Sequence, residues 1–487
     1  MRIVLAIVLV FAATAVCVAI VDRAQIPPRR LGPYLEHRAA GHRPSIENAG
    51  HRLREWLVAA DRGVPVVHRP LPVPDLAFEA LPSARRTVTV ASADALRRAI
   101  AEAQPGDTIM LMPGTYRFQG PSIAVVRAGS ATDPIVVRAG IPGSVELEFD
   151  LLEGFHVLAP YWVFEDLVIR GVCADHSACE HAFHVVGNAE HFDARRNVVL
   201  DFNAHFKING LRGEYPDFGR IEGNVLTNSR IRDTGNPVTP IDLVAASHWR
   251  VTGNRISDFI KAGSNQVSYG AFAKGGGRDN VFERNVVVCE DKLRGAPGQR
   301  VGLSLGGGGT GAGACRDGRC ITEQDASTVR ANLIASCSDD GIYVNRSATS
   351  RILDNTVLDT AGITVRFGES SADVEGNLVD GVIREVDGAA REVDGAALHA
   401  KDNVTTSPPW LYLGRHPVRD LFTDAGALDL RWRERPPRRA STSEKGASDL
   451  CGRRRGKQPV YGAFDDIAGC APDASRMRST SADVERR

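Results

Sequence analysis

Two cationic residues lie beside runs of glycine near the middle of the chain. Lys274 ends the stretch YGAFAK and precedes three glycines, and Arg300 precedes VGLSLGGGG. A buried lysine costs free energy and glycines weaken a strand, so a purely structural strand rarely has this pattern. A lysine whose pKa is lowered by an adjacent arginine can remove a proton alpha to a carboxylate, while the guanidinium holds that carboxylate. Lys274 and Arg300 are therefore a candidate catalytic pair.

The elements that must position this pair are short strands, because no amphipathic helix is evident between about residues 105 and 405. An asparagine followed by an apolar residue recurs through this region at intervals of 22 to 47 residues. These asparagines are Asn197, Asn224, Asn254, Asn285, Asn332, Asn355, Asn377 and Asn403. Intervals of this size are typical of the coils of a parallel β-solenoid, and stacked asparagines hydrogen-bond one another at its turns. We interpret the ladder as structural.

Three five-residue segments align with one another: each begins with glycine, at Gly270, Gly341 or Gly362, and ends 10 or 11 residues before its ladder asparagine. Strand alternation then predicts one inward set and one outward set. The inward set is Ala271, Ala273, Ile342, Val344, Ile363 and Val365, and the outward set is Phe272, Lys274, Tyr343, Asn345, Thr364 and Arg366. The same alternation places His205, Lys207 and Asn209 opposite Phe206 and Ile208.

These positions predict a polar groove that would suit an extended polymer. Its predicted row is His184, Lys207, Asp242, Lys274, Arg300, Asn345 and Arg366. We expect substrate contacts from His184, Lys207, Asp242, Ser304, Asn345 and Arg366. The alternative to a substrate groove is an ordinary polar surface, because the outside of any solenoid faces water. Asp242 and Lys274 would then form only a weak surface ion pair.

Composition and terminal patterns indicate how the chain is organised. Its 487 residues carry 59 basic and 59 acidic side chains, so the charge balance does not suggest a nucleic-acid partner. We predict a signal peptide or single-helix membrane anchor at 1–21, a helical segment and proline-rich linker at 22–86, a β-solenoid at 87–410, and a closing segment with a disordered tail at 411–487. We expect an exported monomer, located in the periplasm or outside the cell. If the segment 1–21 is retained as an anchor, the protein is held at a membrane.

Eight cysteines remain after Cys17 in the export segment, an even number that suits an oxidising compartment. Their sequence neighbours suggest four disulfides. The predicted pairs are Cys173 with Cys179, Cys289 with Cys337, Cys315 with Cys320, and Cys451 with Cys470.

The repeat resembles right-handed parallel β-helix proteins of the pectate-lyase-like superfamily, an all-β class, here with a short N-terminal helical cap. The opening PGDTIMLMPGTYRF and ATDPIVVRA resemble the first coils of the chondroitinase-B and alginate-lyase family. This resemblance implies cleavage of a uronic-acid polysaccharide by β-elimination, with a lysine and an arginine on neighbouring coils and calcium at the carboxylate. By this resemblance, Lys274 and Arg300 take the roles of the family's catalytic lysine and arginine, and Arg366 or Lys207 could take either role instead. The sequence does not identify the carboxylates that would bind calcium.

Three other functions stay open. A uronate epimerase would share the proton-abstraction step. An inverting glycoside hydrolase would use the adjacent carboxylates Asp339 and Asp340, although Asp-Asp-Gly is also an ordinary turn. A non-catalytic glycan-binding or adhesive β-helix needs no reactive pair. His176, His181, His184 and His191 are dense enough to suggest zinc, but no helix holds them at ligand spacing, so we predict no metal site.

Overall fold

The structure is a computed structural model, and it describes residues 18–71, 74, 76–307, 309–386, 398–440 and 446–470. The predicted export segment and the predicted disordered tail therefore fall largely outside the described residues. No helix among the described residues is long and apolar enough to span a membrane.

Three long parallel sheets, which the chain visits in turn on every coil, form the body of the molecule. The first sheet contains Arg86–Val90, Asp107–Leu111, Ile135–Ala139, Trp162–Glu165, Asp193–Arg195, Arg220–Glu222, Arg250–Thr252, Val281–Glu283, Thr328–Arg330, Ser350–Leu353, Ala372–Glu375 and Leu398–Lys401. The second contains Gly114–Phe118, Val145–Phe149, Val168–Gly171, Val198–Leu200, Val225–Thr227, Arg255–Ser257, Val286–Val288, Leu333–Ala335, Thr356–Leu358, Leu378–Val379 and Val404–Thr405. The architecture is the predicted all-β, right-handed parallel β-helix.

The third sheet is called the groove sheet below. Its strands are Ile123–Val125, Glu153–Val157, His181–Val186, Ala204–Asn209, Ile241–Val244, Val267–Lys274, Gln299–Leu305, Ile342–Asn345, Gly362–Arg366 and Val382–Val386. Gly277–Arg278, Gln324–Asp325 and Ser347–Ala348 form a small parallel sheet beside it, and Phe422–Asp424 pairs with Asp429–Trp432 near the C-terminus.

The asparagine ladder lies at the turn between the first and second sheets, as predicted. Each side-chain amide donates to the next asparagine along the stack, for example from Asn254 Nδ2 to Asn285 Oδ1 at 3.0 Å and from Asn285 Nδ2 to Asn332 Oδ1 at 2.9 Å. The residue before each ladder asparagine has a positive φ, for example 57° at Arg196 and 56° at Arg284. The turn therefore bends sharply at the same point on each coil, which keeps the sheets in register.

The interior is apolar, and the predicted inward residues of the groove sheet belong to it. Ala271, Ala273, Ile342, Val344, Ile363 and Val365 are fully buried in one continuous core. All four predicted disulfides are present, joining Cys173 to Cys179, Cys289 to Cys337, Cys315 to Cys320, and Cys451 to Cys470. They link neighbouring loops and coils.

Helices α1 (Pro28–Ala39), α2 (Pro44–Arg62), α3 (Ala93–Ala101) and α4 (Pro408–Tyr412) flank the solenoid in the part of the chain that the structure describes. Ser92 caps α3 by accepting a hydrogen bond from Ala95 N. The helical segment predicted within 22–86 includes α2, which begins at Pro44 because a proline fits the first turn of a helix. Of the apolar side chains of α2, Leu57 is buried, whereas Leu53 and Trp56 remain exposed.

Candidate functional site

The outer face of the groove sheet carries two parallel rows of side chains. The central row, defined by strand register, is Ala124, His156, His184, Lys207, Asp242, Phe272, Ser304, Tyr343, Thr364 and Arg384. The flanking row lies two residues further along each strand and contains Asn209, Val244, Lys274, Asn345 and Arg366.

The single predicted row is therefore wrong in its register. Asp242 pairs with Phe272 rather than with Lys274, because the inward residues Leu243 and Ala273 are opposite each other. His184, Lys207, Asp242 and Ser304 lie in the central row, and Lys274, Asn345 and Arg366 lie in the flanking row. Arg300 lies in neither row.

Lys274 stands at the end of its strand, where its side chain reaches the groove. Its Nζ lies 4.4 Å from the centre of the Phe272 ring. Among the residues that the structure describes, no carboxylate oxygen lies within salt-bridge distance of this ammonium. A Cβ on Gly307 would come within 2.9 Å of Lys274 Cδ, so glycine at that position gives the lysine room. Lys274 is thus a partly exposed cation with an aromatic neighbour.

A loop closed by the Cys315–Cys320 disulfide lies against this strand end. Arg316 N donates to Gly275 O at 2.9 Å, directly after Lys274. The Arg316 guanidinium makes two hydrogen bonds to Asp217, at 2.8 and 2.7 Å, and lies 4.3 Å from the centre of the Tyr215 ring. These bonds to Asp217 raise the pKa of Arg316. Arg316 is not among the residues predicted from sequence, although its position between Cys315 and Cys320 indicates a loop held by a disulfide.

Arg300 does not join Lys274. It is opposite Ser268 in register, six residues before Lys274, which places the two about 20 Å apart along the strand at ~3.3 Å per residue. Its guanidinium is buried, and it donates to Glu290 Oε1 at 2.8 Å and to the carbonyl oxygens of Pro297 and Ala296 at 2.8 and 2.7 Å. Burial lowers the pKa of Arg300, while the Glu290 carboxylate opposes this effect. These contacts are structural, so the predicted pair is not assembled.

The first half of the central row is a chain of ionisable residues. His184 Nδ1 lies 2.8 Å from Glu153 Oε1, and its Nε2 lies 2.9 Å from Asn209 Oδ1. Lys207 Nζ donates to Asp242 Oδ2 at 2.8 Å, so Asp242 is paired with Lys207 and not with Lys274. The second carboxylate oxygen of Asp242 is buried without a hydrogen-bond partner among the described residues. His184, Lys207 and Asp242 are therefore brought together, as predicted.

Two further histidines lie close to the groove sheet. The ring centres of His181 and His184 are 5.2 Å apart. Burial lowers the pKa of His181 to about 4. His205 was expected to face outward, but it is fully buried with Nε2 3.1 Å from Thr227 O, and burial lowers its pKa to about 3.

The remaining predicted contact residues are more enclosed than expected. Ser304 is buried, and its hydroxyl donates to Gly306 O at 2.5 Å. Asn345 is buried with its Oδ1 unpartnered among the described residues. Arg366 donates to Tyr343 OH at 3.4 Å and lies 4.6 Å from the centre of the Phe367 ring. Of these three, Arg366 is the one that remains partly exposed on the groove.

Asp339 and Asp340 form ion pairs with Arg30 on helix α1. Arg30 forms salt bridges with both carboxylates, at 2.8 Å to Asp339 and closer to Asp340. Asp340 Oδ1 also accepts a hydrogen bond from Thr364 at 2.8 Å. Burial raises the pKa of Asp340, against the lowering effect of Arg30. Because both carboxylates are already neutralised, the pair does not have the open geometry of an acid and a base flanking a sugar bond.

Calcium was expected from the family resemblance, and within the described residues no set of three carboxylates converges on the groove. Calcium takes six to eight oxygen ligands. Within the described residues, the one cluster of at least three histidine, cysteine or carboxylate donors is Glu153, His156 and His184, which contains a single carboxylate. We therefore assign no step to calcium.

Comparisons with known proteins agree with this architecture. A family model described as chondroitinase B matches residues 90–207, which include the opening coils. A search of curated proteins finds no match. The chain is similar to the crystal structure of pectate lyase Pel9A, with 17% identity, 79% of this chain and 97% of that chain covered, and a TM-score of 0.53.

Two further solved structures are similar at lower scores. A rhamnogalacturonan lyase shares 13% identity over 66% of this chain and 87% of its own, with a TM-score of 0.41. An alginate lyase from Paenibacillus sp. str. FPU-7 shares 16% identity over 66% of this chain and 100% of its own, with a TM-score of 0.34. The similarity to pectate lyase Pel9A, at 17% identity, shows the fold and not the activity. Together with the three long parallel sheets, it shows that the chain folds as a pectate-lyase-like, right-handed parallel β-helix.

Proposed function

We propose that the protein is an exported polysaccharide lyase that cleaves a uronic-acid polymer by β-elimination, with Lys274 as the base. The observation that carries the proposal is the position of Lys274: a partly exposed cation on the groove, without a carboxylate partner among the described residues, beside Gly307, where a side chain would crowd it. The four disulfides support export, because they persist in oxidising compartments. The match of residues 90–207 to the chondroitinase B family supports the substrate class.

The groove offers further groups that a polyanionic chain requires. Tyr269, whose ring centre is 5.5 Å from that of the buried Phe272, is partly exposed and provides apolar surface against which a sugar ring can pack. Arg316 replaces Arg300 as the proposed carboxylate-binding group, because its loop contacts Gly275 beside Lys274 and its guanidinium is held in place by Asp217. Lys207 and Arg366 lie on strands to either side and would bind neighbouring uronates.

In the proposed reaction the Lys274 amine, in its unprotonated form, removes the proton alpha to the uronate carboxylate. The carboxylate is neutralised by Arg316, which lowers the cost of the enolate-like charge. The carbon–oxygen bond beta to the carboxylate then breaks, and its electron pair leaves with the sugar oxygen. That oxygen takes up a proton from water, and Lys274 releases the abstracted proton to solvent. The products are a shorter chain and an unsaturated uronate.

The test is the ultraviolet absorbance of unsaturated uronates during incubation with polymannuronate, polyguluronate, polygalacturonate and dermatan sulfate. We expect one of these polymers to give a rise, and Lys274→Ala to lower kcat/KM about 10²- to 10⁴-fold, the usual contribution of a general base. Lys292→Ala is the matched control, because its side chain is exposed on a loop outside both rows.

Other outcomes assign other functions. Solvent deuterium incorporated at C5 without an absorbance rise would show an epimerase that uses the same proton abstraction. Shorter chains without unsaturation would show a hydrolase. Binding of a polymer without any chemical change, unaffected by Lys274→Ala, would show a glycan-binding protein and overturn the proposal.

A further inference from the structure

Glu153, His156 and His184 converge at the N-terminal end of the central row. Glu153 and His156 lie on one strand, and His184 lies opposite His156 on the next strand. The two imidazole rings are nearly parallel, with an interplanar angle of 11° and ring centres 5.2 Å apart. One donor atom from each of the three residues lies within 4.8 Å of the other two. All three side chains are partly exposed to the groove, so the cluster is open to a ligand.

Asn209 holds the ring of His184 in place from one side. Asn209 Nδ2 donates to Gly210 O at 3.0 Å, and Asn209 Oδ1 lies 2.9 Å from His184 Nε2. The other ring nitrogen, Nδ1, then faces a carboxylate oxygen of Glu153, 2.8 Å away. His184 Nδ1 and the Glu153 carboxylate are therefore placed to bind one cation together.

The cation at this point is either a proton on His184 or a metal ion. A proton would satisfy His184 and Glu153 but would leave His156 aside, since His156 Nδ1 is 3.8 Å from Glu153 Oε2, too far for a hydrogen bond. A metal ion would accept a lone pair from all three residues. His181 adds a separate observation: its Nδ1 is buried without a partner among the described residues, and its ring centre is 5.2 Å from that of His184.

We propose that Glu153, His156 and His184 bind one zinc ion, with a further coordination position open toward the groove. Two imidazoles and one carboxylate are a donor set that zinc prefers, and three protein ligands with an open position are typical of zinc sites that bind water or substrate. Asn209 would orient His184 through Nε2, as partners of metal-binding histidines commonly do. The open position would face the row that continues to Lys207.

The experiment measures metal binding and is independent of any lyase activity. The purified full chain is stripped with a chelator, dialysed, and titrated with Zn²⁺ in competition with a chromophoric chelator, and separately with Co²⁺. We expect one zinc per chain, and a visible Co²⁺ spectrum of low-symmetry, four- or five-coordinate character. His156→Ala, His184→Ala and Glu153→Gln should each weaken zinc binding by about tenfold or more, and Asn209→Ala by about tenfold.

The matched control is His399→Ala, which removes an exposed histidine 3.1 Å from Asp373 on another sheet, and should leave zinc binding unchanged. Thermal transitions of the variants report whether each one is folded. The proposal is overturned if the unaltered chain binds much less than one zinc, which would leave a proton between His184 and Glu153. It is equally overturned if the folded cluster variants retain zinc, or if Ca²⁺ displaces zinc from the site.

Discussion

At the scale of single residues, the role of a charge depends on where it lies along its strand. Arg300 lies at the buried start of a strand, and its charge is balanced by Glu290 and two carbonyl oxygens. Lys274 lies at the open end of the neighbouring strand, beside a glycine-rich loop. Both residues show the same pattern in sequence, a cation close to glycines, yet only the second reaches the groove.

Arg300→Ala should therefore act on stability. Removing Arg300 leaves Glu290 with only the longer contact to Arg62, at 3.3 Å, so we expect the free energy of unfolding to fall by about 3 kcal/mol. Arg366→Ala, at the groove surface, should change it by less than about 1 kcal/mol. Guanidinium unfolding of the purified variants measures both changes. Wild-type stability combined with lost activity in Arg300→Ala would instead restore Arg300 as a functional residue.

His205 should make the protein sensitive to acid. Burial lowers its pKa to about 3, whereas an unfolded histidine titrates near 6.5. The unfolded chain therefore binds the proton more tightly, and the stabilisation is complete above pH ~6.5 and lost as the pH falls toward ~3, by up to about 1.4 kcal/mol per pH unit. His205→Gln should have a shallower dependence of unfolding free energy on pH between 4.5 and 7, and His248→Gln, on the exposed surface, should not. Parallel curves for all three proteins would contradict this assignment.

At the scale of elements, the asparagine ladder sets the register of the coils. Asn285 N and Nδ2 donate to Asn332 Oδ1, Asn285 Nδ2 also donates to Val251 O, and Asn285 Oδ1 accepts from Asn254. One side chain therefore satisfies buried groups on three coils. The register of the groove sheet, and so the position of Lys274 relative to Asp242, depends on this alignment.

Asn285→Ala should lower the free energy of unfolding by about 3 kcal/mol, because it leaves several buried backbone and amide groups without partners at about 1–3 kcal/mol each. Asn403→Ala, at the partly exposed end of the ladder, should cost about 1 kcal/mol. Chemical denaturation monitored by circular dichroism compares the two variants. Equal losses at both positions would show that the ladder adds nothing beyond its individual bonds.

At the scale of the whole molecule, buried ion pairs and hydrogen bonds attach helices α1 and α2 to the side of the solenoid. Arg29 on α1 donates to Asp61 on α2 at 2.6 Å, to Cys337 O at 2.9 Å and to Asp359 at 3.0 Å. Arg30, next to it, covers Asp339 and Asp340. The helices therefore occupy the carboxylates that a hydrolase would need free.

Arg29→Leu should loosen this attachment, because Asp61 and Asp359 lose a buried partner at a cost of about 3–5 kcal/mol. We expect trypsin to cleave within residues 18–62 much faster than in the unaltered chain, while the solenoid resists cleavage. His51→Ala, exposed on α2, is the matched control. Mass spectrometry of the fragments locates the cuts, and equal resistance of Arg29→Leu and wild type would show that apolar packing alone holds the helices.

Local patterns were enough to predict the solenoid, its asparagine ladder, the inward residues and the four disulfides. Each of these depends on a repeat or on near neighbours in the chain, and the alternation of strand residues is fixed by backbone geometry. The coil lengths differ, however, because loops of irregular size separate the strands. The pairing of Asp242 with Lys207, and the separation of Lys274 from Arg300, depend on which strand residues face each other across coils.

What the sequence by itself determined is thus the fold and the residues that could line its outer face. Only the tertiary structure decided which of them meet: Lys274 with Phe272 and the Arg316 loop, Arg300 with Glu290, and His184 with Glu153 and His156. The physical reason is that fold follows from periodic burial of apolar side chains, which sequence displays directly. A site follows from contacts between residues on different coils, which are set by register and by loops that bring distant segments together.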